Sequence, residues 1–152
     1  MDITQNLNRL GLTLPEISTP GGNYVSVNVR GAMAFVAIQF PIVNGTYYYQ
    51  GRLGDTISTE DGYKAMQLSA LNVIAQVEKK LGFDKVLGLN HIDAYYQAGT
   101  NWDDGPVVVN GASDLFVNVL GEKGTHTRAI FGVDKLPRNF CAGLTASFAL
   151  KG

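Results

Sequence analysis

Cysteine is almost missing from this chain. Cys141 is the only one in 152 residues, which excludes an internal disulfide and any multi-cysteine zinc site, and suits a reducing compartment. Charge is scarce too: 12 basic and 13 acidic residues make up 16% of the chain and leave a net charge of −1. No run of Lys or Arg exceeds the pair Lys79-Lys80, so there is no electrostatic footprint for a phosphate backbone, and no nucleic-acid partner is expected. Long apolar runs are absent, and Met1-Asp2-Ile3-Thr4-Gln5-Asn6 lacks the basic start and apolar stretch of a signal peptide. No membrane partner is expected, and cytoplasm is the expected location. Gly51-x-x-Gly54 is followed by no Gly-Lys-Ser/Thr, so it is not a phosphate loop. Asp103 and Asp104 lack the spaced ligands of a metal site. Neither a metal nor a cofactor is expected.

What is present fits one globular unit, residues 1–152, with residues 1–15 as an N-terminal helical extension. Hydrophobic residues reach 45%, and the low charge leaves room for a subunit interface. Ile3, Leu7 and Leu10 have helical spacing, ended by Gly11 and Pro15. Val25, Val27 and Val29 alternate with polar residues as in a half-buried strand. Met33 to Phe40 is a second strand stopped by Pro41, and Asn44-Gly45 marks a hairpin. Ser58 and Asp61 have capping-box spacing ahead of Tyr63, Met66, Ala70, Ile74, Val77 and Leu81, which step along one helix face to Gly82. Val86 to Tyr96 reads as a strand, and Pro106 sits in the first turn of a second long helix that ends at Gly121. Thr127 to Val133 is another strand. In the last one Ala142, Leu144, Ala146, Phe148 and Leu150 share a side.

The order is therefore β-β-β-α-β-α-β-β, an α+β fold with a mixed sheet and two helices on one face. The uncovered face would leave apolar surface in water, at about 25 cal/mol per Å². A symmetric oligomer with sheets facing one another removes that cost.

Four segments, in order, carry a family resemblance. Pro20-Gly21-Gly22-Asn23-Tyr24-Val25 resembles the proline-glycine-tyrosine lead into the first strand of RidA/YjgF proteins. Phe35-Val36-Ala37-Ile38-Gln39-Phe40-Pro41 resembles their Ser-Gly-Gln-x-Pro strand end. Val109-Asn110-Gly111-Ala112-Ser113-Asp114-Leu115-Phe116 resembles their second-helix segment. His126-Thr127-Arg128-Ala129-Ile130 with Leu136-Pro137 resembles their arginine strand and its turn. Leu10-Gly11-Leu12-Thr13-Leu14-Pro15 is similar to a longer branch of the family.

The resemblance implies a chorismate-mutase-like fold, a homotrimeric barrel assembly, and ligand clefts between subunits. It implies hydrolysis of 2-imino or 2-enamino acids to 2-keto acids and ammonia; older family labels mention endoribonuclease activity. By position, Arg128 should clamp a small carboxylate ligand and backbone groups at Ile38 and Ile130 should orient it. Tyr24 should pack over it, and Asn110 should line the cleft. The chain departs from the pattern at Ala37 and Ile38, where the family has Ser-Gly, and at Gly143, where many active members place a glutamate.

Such a hydrolysis needs a cation for the carboxylate, a positioned water, and a group to activate it. A guanidinium fork matches a carboxylate with two parallel charge-assisted bonds. Gly143 supplies no base, and His126 and Thr145 are the auxiliary candidates. Arg128 could equally be a strand arginine in a rim salt bridge, and His126 a packed or exposed strand residue. His91 reads as packing, Cys141 as a buried small hydrophobe, and Tyr47-Tyr48-Tyr49 as an interface patch. The competing function is a non-catalytic protein that senses a 2-keto acid in the same cleft. A nucleic-acid enzyme ranks third.

Overall fold

The computed structural model describes residues 2–152. Helix α1 (Ile3–Arg9) is fastened by a capping box: the Asp2 carboxylate accepts from Gln5 N at 2.8 Å, and Asp2 N donates to Gln5 Oε1 at 3.0 Å. Its buried Ile3 and Leu7 join the main core, and Asn6 Nδ2 donates to Val119 O at 2.9 Å. Strands β1 (Val27–Arg30) and β2 (Met33–Gln39) follow. Then comes a two-residue ribbon, β3 (Ile42–Val43) with β4 (Thr46–Tyr47), turned by Asn44 at φ 50° and Gly45 at φ 83°. Two successive positive φ angles suit the twist of a tight hairpin, and Asn-Gly supplies them at little strain.

Helix α2 (Thr59–Lys80) starts where the Ser58 side chain accepts from Asp61 N at 3.1 Å. Glu60 and Asp61 sit at its positive end, and Lys79 and Lys80 at its negative end. Strand β5 (Val86–Gln97), helix α3 (Gly105–Leu120), strand β6 (Thr127–Val133) and strand β7 (Ala142–Leu150) complete the chain. The main sheet has the order β1-β2-β7-β5-β6, antiparallel except for the β5–β6 pair. The third β element of the expected order is the hairpin, which stands apart as its own ribbon.

Helices α2 and α3 cover one face of the sheet, against Ala34, Val36, Ile92, Ala94, Leu144, Ala146 and Phe148. The two helices cross very closely at Gly111: a methyl group there would collide with the Tyr63 carbonyl of α2. At the neighbouring Gly62 a methyl would stand 2.8 Å from Val108. The other face is open. Phe35 is 53% and Phe131 44% exposed on it. The valine alternation expected to half-bury β1 leaves Val25 and Val29 exposed, because β1 is a sheet edge and Val25 lies ahead of it. Among the described residues no helix is long and apolar enough to cross a membrane, and no three His, Cys, Asp or Glu are grouped to hold a metal ion.

Cys141 is fully buried, and burial pushes its thiol up to about 12, with a smaller contribution from the Asp61 charge against a backbone hydrogen bond that pulls it down. The unfolded thiol ionises first, so the unfolded state loses its proton at lower pH than the native one. Stability should therefore fall as pH rises from about 9 toward 12, with a slope of up to about 1.4 kcal/mol per pH unit. Denaturant melts across that range should fall less steeply for Cys141→Ala than for the parent chain; parallel curves would contradict it.

Candidate functional site

Edge strand β6 runs parallel to β5 with Arg128 opposite Ile92, a fully buried residue on the helix-covered face. Arg128 thus points toward α3. Asn110 and Ser113, one helical turn apart, meet it there. Arg128 Nη1 donates to Asn110 Oδ1 at 2.8 Å and to Ser113 Oγ at 3.1 Å, and Nη2 reaches Pro106 O at 3.5 Å. Those partners are all neutral. Among the described residues the ion pairs are Lys64–Glu60 and His91–Asp93, and Arg128 takes part in neither. Asp114 lies next to Ser113 on α3, but it accepts from Tyr63 Oη at 2.6 Å. That hydrogen bond, with burial and the Asp114 charge, raises the Tyr63 phenol above its ordinary value. The rim salt bridge considered for Arg128 does not form. Its guanidinium is aimed, and among the described residues its charge has no counter-ion.

His126 completes the row. Its Nδ1 faces the Gly124 carbonyl, which can only accept, so that nitrogen carries the proton. Nε2 then accepts from Ser113 Oγ at 2.9 Å, which frees the hydroxyl lone pairs for Arg128. A directional chain therefore runs from Arg128 through Ser113 and His126 to the Gly124 carbonyl. It fixes the guanidinium plane, with the His126 Nε2 lone pair engaged by Ser113. Gly124 sits against the Phe116 carbonyl of α3, where no side chain would fit.

The other expected residues lie elsewhere in the protomer. Ile130 is two residues beyond Arg128 on β6, whose outer edge is unpaired. Ala37 and Ile38 sit in an irregularity of β2, where the register with β7 breaks between Val36 and Gln39. The β2 end is secured by Asn72 of α2, which donates to Phe40 O at 2.9 Å and Ile42 O at 2.8 Å. Tyr24, 53% exposed, and Thr145 line a shallow recess of 440 Å³ on the open sheet face, together with Ala37, His91, Asp93 and Ser147. Thr145 pairs with Asp93, whereas Arg128 pairs with Ile92, so Thr145 and Arg128 lie on opposite sides of the sheet. Within one protomer the expected set therefore divides into two. Arg128, Asn110, His126 and Ile130 form one group; Tyr24 and Thr145 share the recess, with Ile38 following its lining residue Ala37 in β2.

Gly143 is buried on β7. A Cβ at this position would lie 2.7 Å from the Phe40 ring and 2.9 Å from Gln39 O. Phe40 itself stacks on Phe140 with ring centroids 4.8 Å apart. An aromatic pair thus fills the room a longer side chain would need. A larger hollow of 1120 Å³ lies beside α1 and the end of α3, bordered by Asp2, Arg9, Asp84, Glu122 and Lys123. None of the expected site residues borders it, and its charges are of both signs.

Two residues escaped the sequence reading. Ser113 is three positions beyond Asn110 in a helix, and that spacing could have identified it. Asp93 and His91 alternate on one side of β5, and their pairing could have been read from the same period that placed the strand.

A family model described as "YjgF/chorismate mutase-like, putative endoribonuclease" matches residues 5–149. Protein TCP17 of Trypanosoma cruzi is 34% identical over 137 residues, spanning 89% of this chain and 86% of TCP17. A crystal structure of a "putative endoribonuclease" from Shewanella oneidensis is similar at a TM-score of 0.96 with 29% identity, covering 99% of this chain and 100% of that one. The structure of Escherichia coli TdcF with bound serine has the same fold at a TM-score of 0.60 and 20% identity, over 91% of this chain and 94% of TdcF.

Proposed function

Since the chain belongs to the RidA/YjgF family, we propose that it hydrolyses 2-imino or 2-enamino acids to 2-keto acids and ammonia, with the substrate carboxylate held by Arg128. The observation that carries this reading is the state of that guanidinium: oriented by Asn110 and Ser113, and without a carboxylate partner among the described residues. A cation organised in this way is prepared for an anionic group from outside, and a planar carboxylate is its best geometric match. The serine bound to TdcF is a small carboxylate-bearing amino acid, and the proposal carries that ligand class to this chain. Backbone groups at Ile38 and Ile130 orient the carboxylate in this reading, and Tyr24 closes over the ligand.

The division of these residues between two places supports a cleft shared by two copies. One copy would bring Arg128, Asn110, Ser113 and Ile130, and its neighbour Tyr24, Ile38 and the recess beside them. A homotrimer closed through the open sheet faces would build three such clefts and cover Phe35 and Phe131. Light scattering on an eluting peak should give three times 16.4 kDa; a monomer at micromolar concentration would count against the shared cleft. With its balanced charge, the protein is also expected to pass through immobilised RNA at low salt without being held.

The second reading, a non-catalytic protein that binds 2-keto acids, is favoured by Gly143, where the Phe40 ring occupies the room of a catalytic side chain. Following ammonia release from 2-imino acids made in place by an amino-acid oxidase separates the two. Acceleration over the spontaneous rate that disappears in Arg128→Ala supports the hydrolase. Saturable keto-acid binding with no acceleration across short and branched substrates supports the sensor.

A further inference from the structure

Resting on the hydrolase reading, we infer that Asp93, pinned by His91, is the catalytic carboxylate of this chain, the group that holds and deprotonates the attacking water in place of any side chain at position 143. Water must be activated from the wall that faces Arg128 across the shared cleft. That wall carries Tyr24 and Ala37, and Asp93 is the only carboxylate among the residues lining its recess.

The sheet register places Asp93 where it is needed. On the antiparallel β5–β7 pair, Asp93 faces Thr145 and Tyr95 faces Gly143. Asp93 is therefore the diagonal neighbour of position 143 on the same sheet face, at roughly 7–8 Å. A carboxylate stands one strand away from the glycine, still on the open face.

Its surroundings hold it for the task. A carboxylate can only accept, so His91 Nε2 carries the hydrogen that goes to Asp93 Oδ1 at 2.8 Å. His91 Nδ1 then accepts from Thr127 Oγ1 at 2.6 Å, which sets the ring plane from the neighbouring strand. One oxygen of Asp93 is thereby fixed, and Oδ2 has no hydrogen-bond partner among the described residues. Thr145 is its cross-strand partner on β7 and carries a hydroxyl into the lining of the same recess. The titratable groups lining the recess are Tyr24, His91 and Asp93; Ser147 and Asn28 complete its polar lining. Both side chains of the pair are 38% exposed, so water and a small substrate can reach them.

The proton balance closes without another reactant. Water oxygen bonds to the imine carbon as its proton passes to Asp93, and the C=N π pair moves to nitrogen. Asp93 returns the proton to that nitrogen. The C–N bond then breaks with ammonia leaving, and the hydroxyl proton passes through Asp93 to the departing ammonia as C=O forms. An iminium acid and water become a keto acid and ammonium. His91 is a positioning residue here: it orients Asp93 and touches no reacting atom.

The competing account is an ordinary surface His–Asp pair with no catalytic part. Kinetics on the full-length protein, with 2-imino acids generated in place, separate the two. Asp93→Asn should lower kcat by about 10²-fold or more, the usual worth of a general base, and leave KM within about threefold. Arg128→Ala should act chiefly through KM. Formate should restore part of kcat to Asp93→Gly and none to Arg128→Ala, a rescue that no purely structural role would give. Asp93→Asn with kcat within about threefold of the parent, beside an Arg128→Ala whose KM is strongly raised, would overturn the role of Asp93 and leave the hydrolase reading standing. A folded Asp93→Gly deaf to formate would also overturn it. Failure of the parent protein to exceed the spontaneous rate would remove both readings together.

Discussion

Arg128→Ala is expected to weaken binding of a 2-keto acid such as pyruvate by about 10²–10⁴-fold. Two hydrogen bonds from a charged donor contribute about 1.5–3 kcal/mol each, and each 1.4 kcal/mol is a factor of ten. Arg128→Lys should recover only a part of this loss. An ammonium keeps the charge, but it cannot present two parallel donors to a carboxylate while also donating to Asn110 and Ser113. Isothermal titration of the three proteins with the keto acid reads the effect directly. Both variants should melt close to the parent, because the partners of Arg128 are partly exposed and water can replace it. Equal affinities would remove Arg128 from the binding site, and the family assignment would then say nothing about where this chain holds a ligand.

Gly143→Glu, the substitution suggested by the resemblance, is expected to damage the protein rather than improve it. The new Cβ meets the Phe40 ring at 2.7 Å and the Gln39 carbonyl at 2.9 Å. Overpacking of this kind costs about 1–3 kcal/mol, and a carboxylate placed in a buried site adds to that. A melting temperature lower by roughly 5–10 °C follows for a chain of this length. Adding Phe40→Ala should return part of the loss, since the two changes compete for the same space and their effects cannot be additive. A single Gly143→Glu that melts with the parent would show that Phe40 moves aside freely, and the account of the glycine as sterically required would fail.

Much of the fold could be read from local chemistry. Ser58 and Asp61 start α2, Asn44-Gly45 turns the hairpin, and the Ala142–Leu150 alternation is the buried side of β7, each because the signal and the structure involve the same few neighbouring residues. The misreadings concern relations between elements. Alternation in Val25, Val27 and Val29 assigns them a side but cannot say that β1 is an edge with little above it. The turn chemistry finds the hairpin but not its separation from the sheet.

The site illustrates the same division. Parity within β6 puts His126 with Arg128, and parity within β7 puts Thr145 with Gly143. No pattern inside either strand tells which parity faces the helices, so Thr145 and Arg128 could be grouped in sequence and still lie on opposite sides of the sheet. The steric reason for Gly143 depends on Phe40, more than a hundred residues away, and on its anchor Asn72.

That opposite placement has a genetic consequence. If each cleft draws its guanidinium from one copy and its recess from another, two differently broken alleles can mend one another. Cells expressing only Arg128→Ala or only Asp93→Asn would carry no intact cleft. Cells expressing both would assemble mixed rings, in which the subunit lacking Asp93 still lends its guanidinium to a neighbour with a sound recess. Every such ring would hold one fully normal cleft, and a third of the parental activity would reappear in it from two inactive genes.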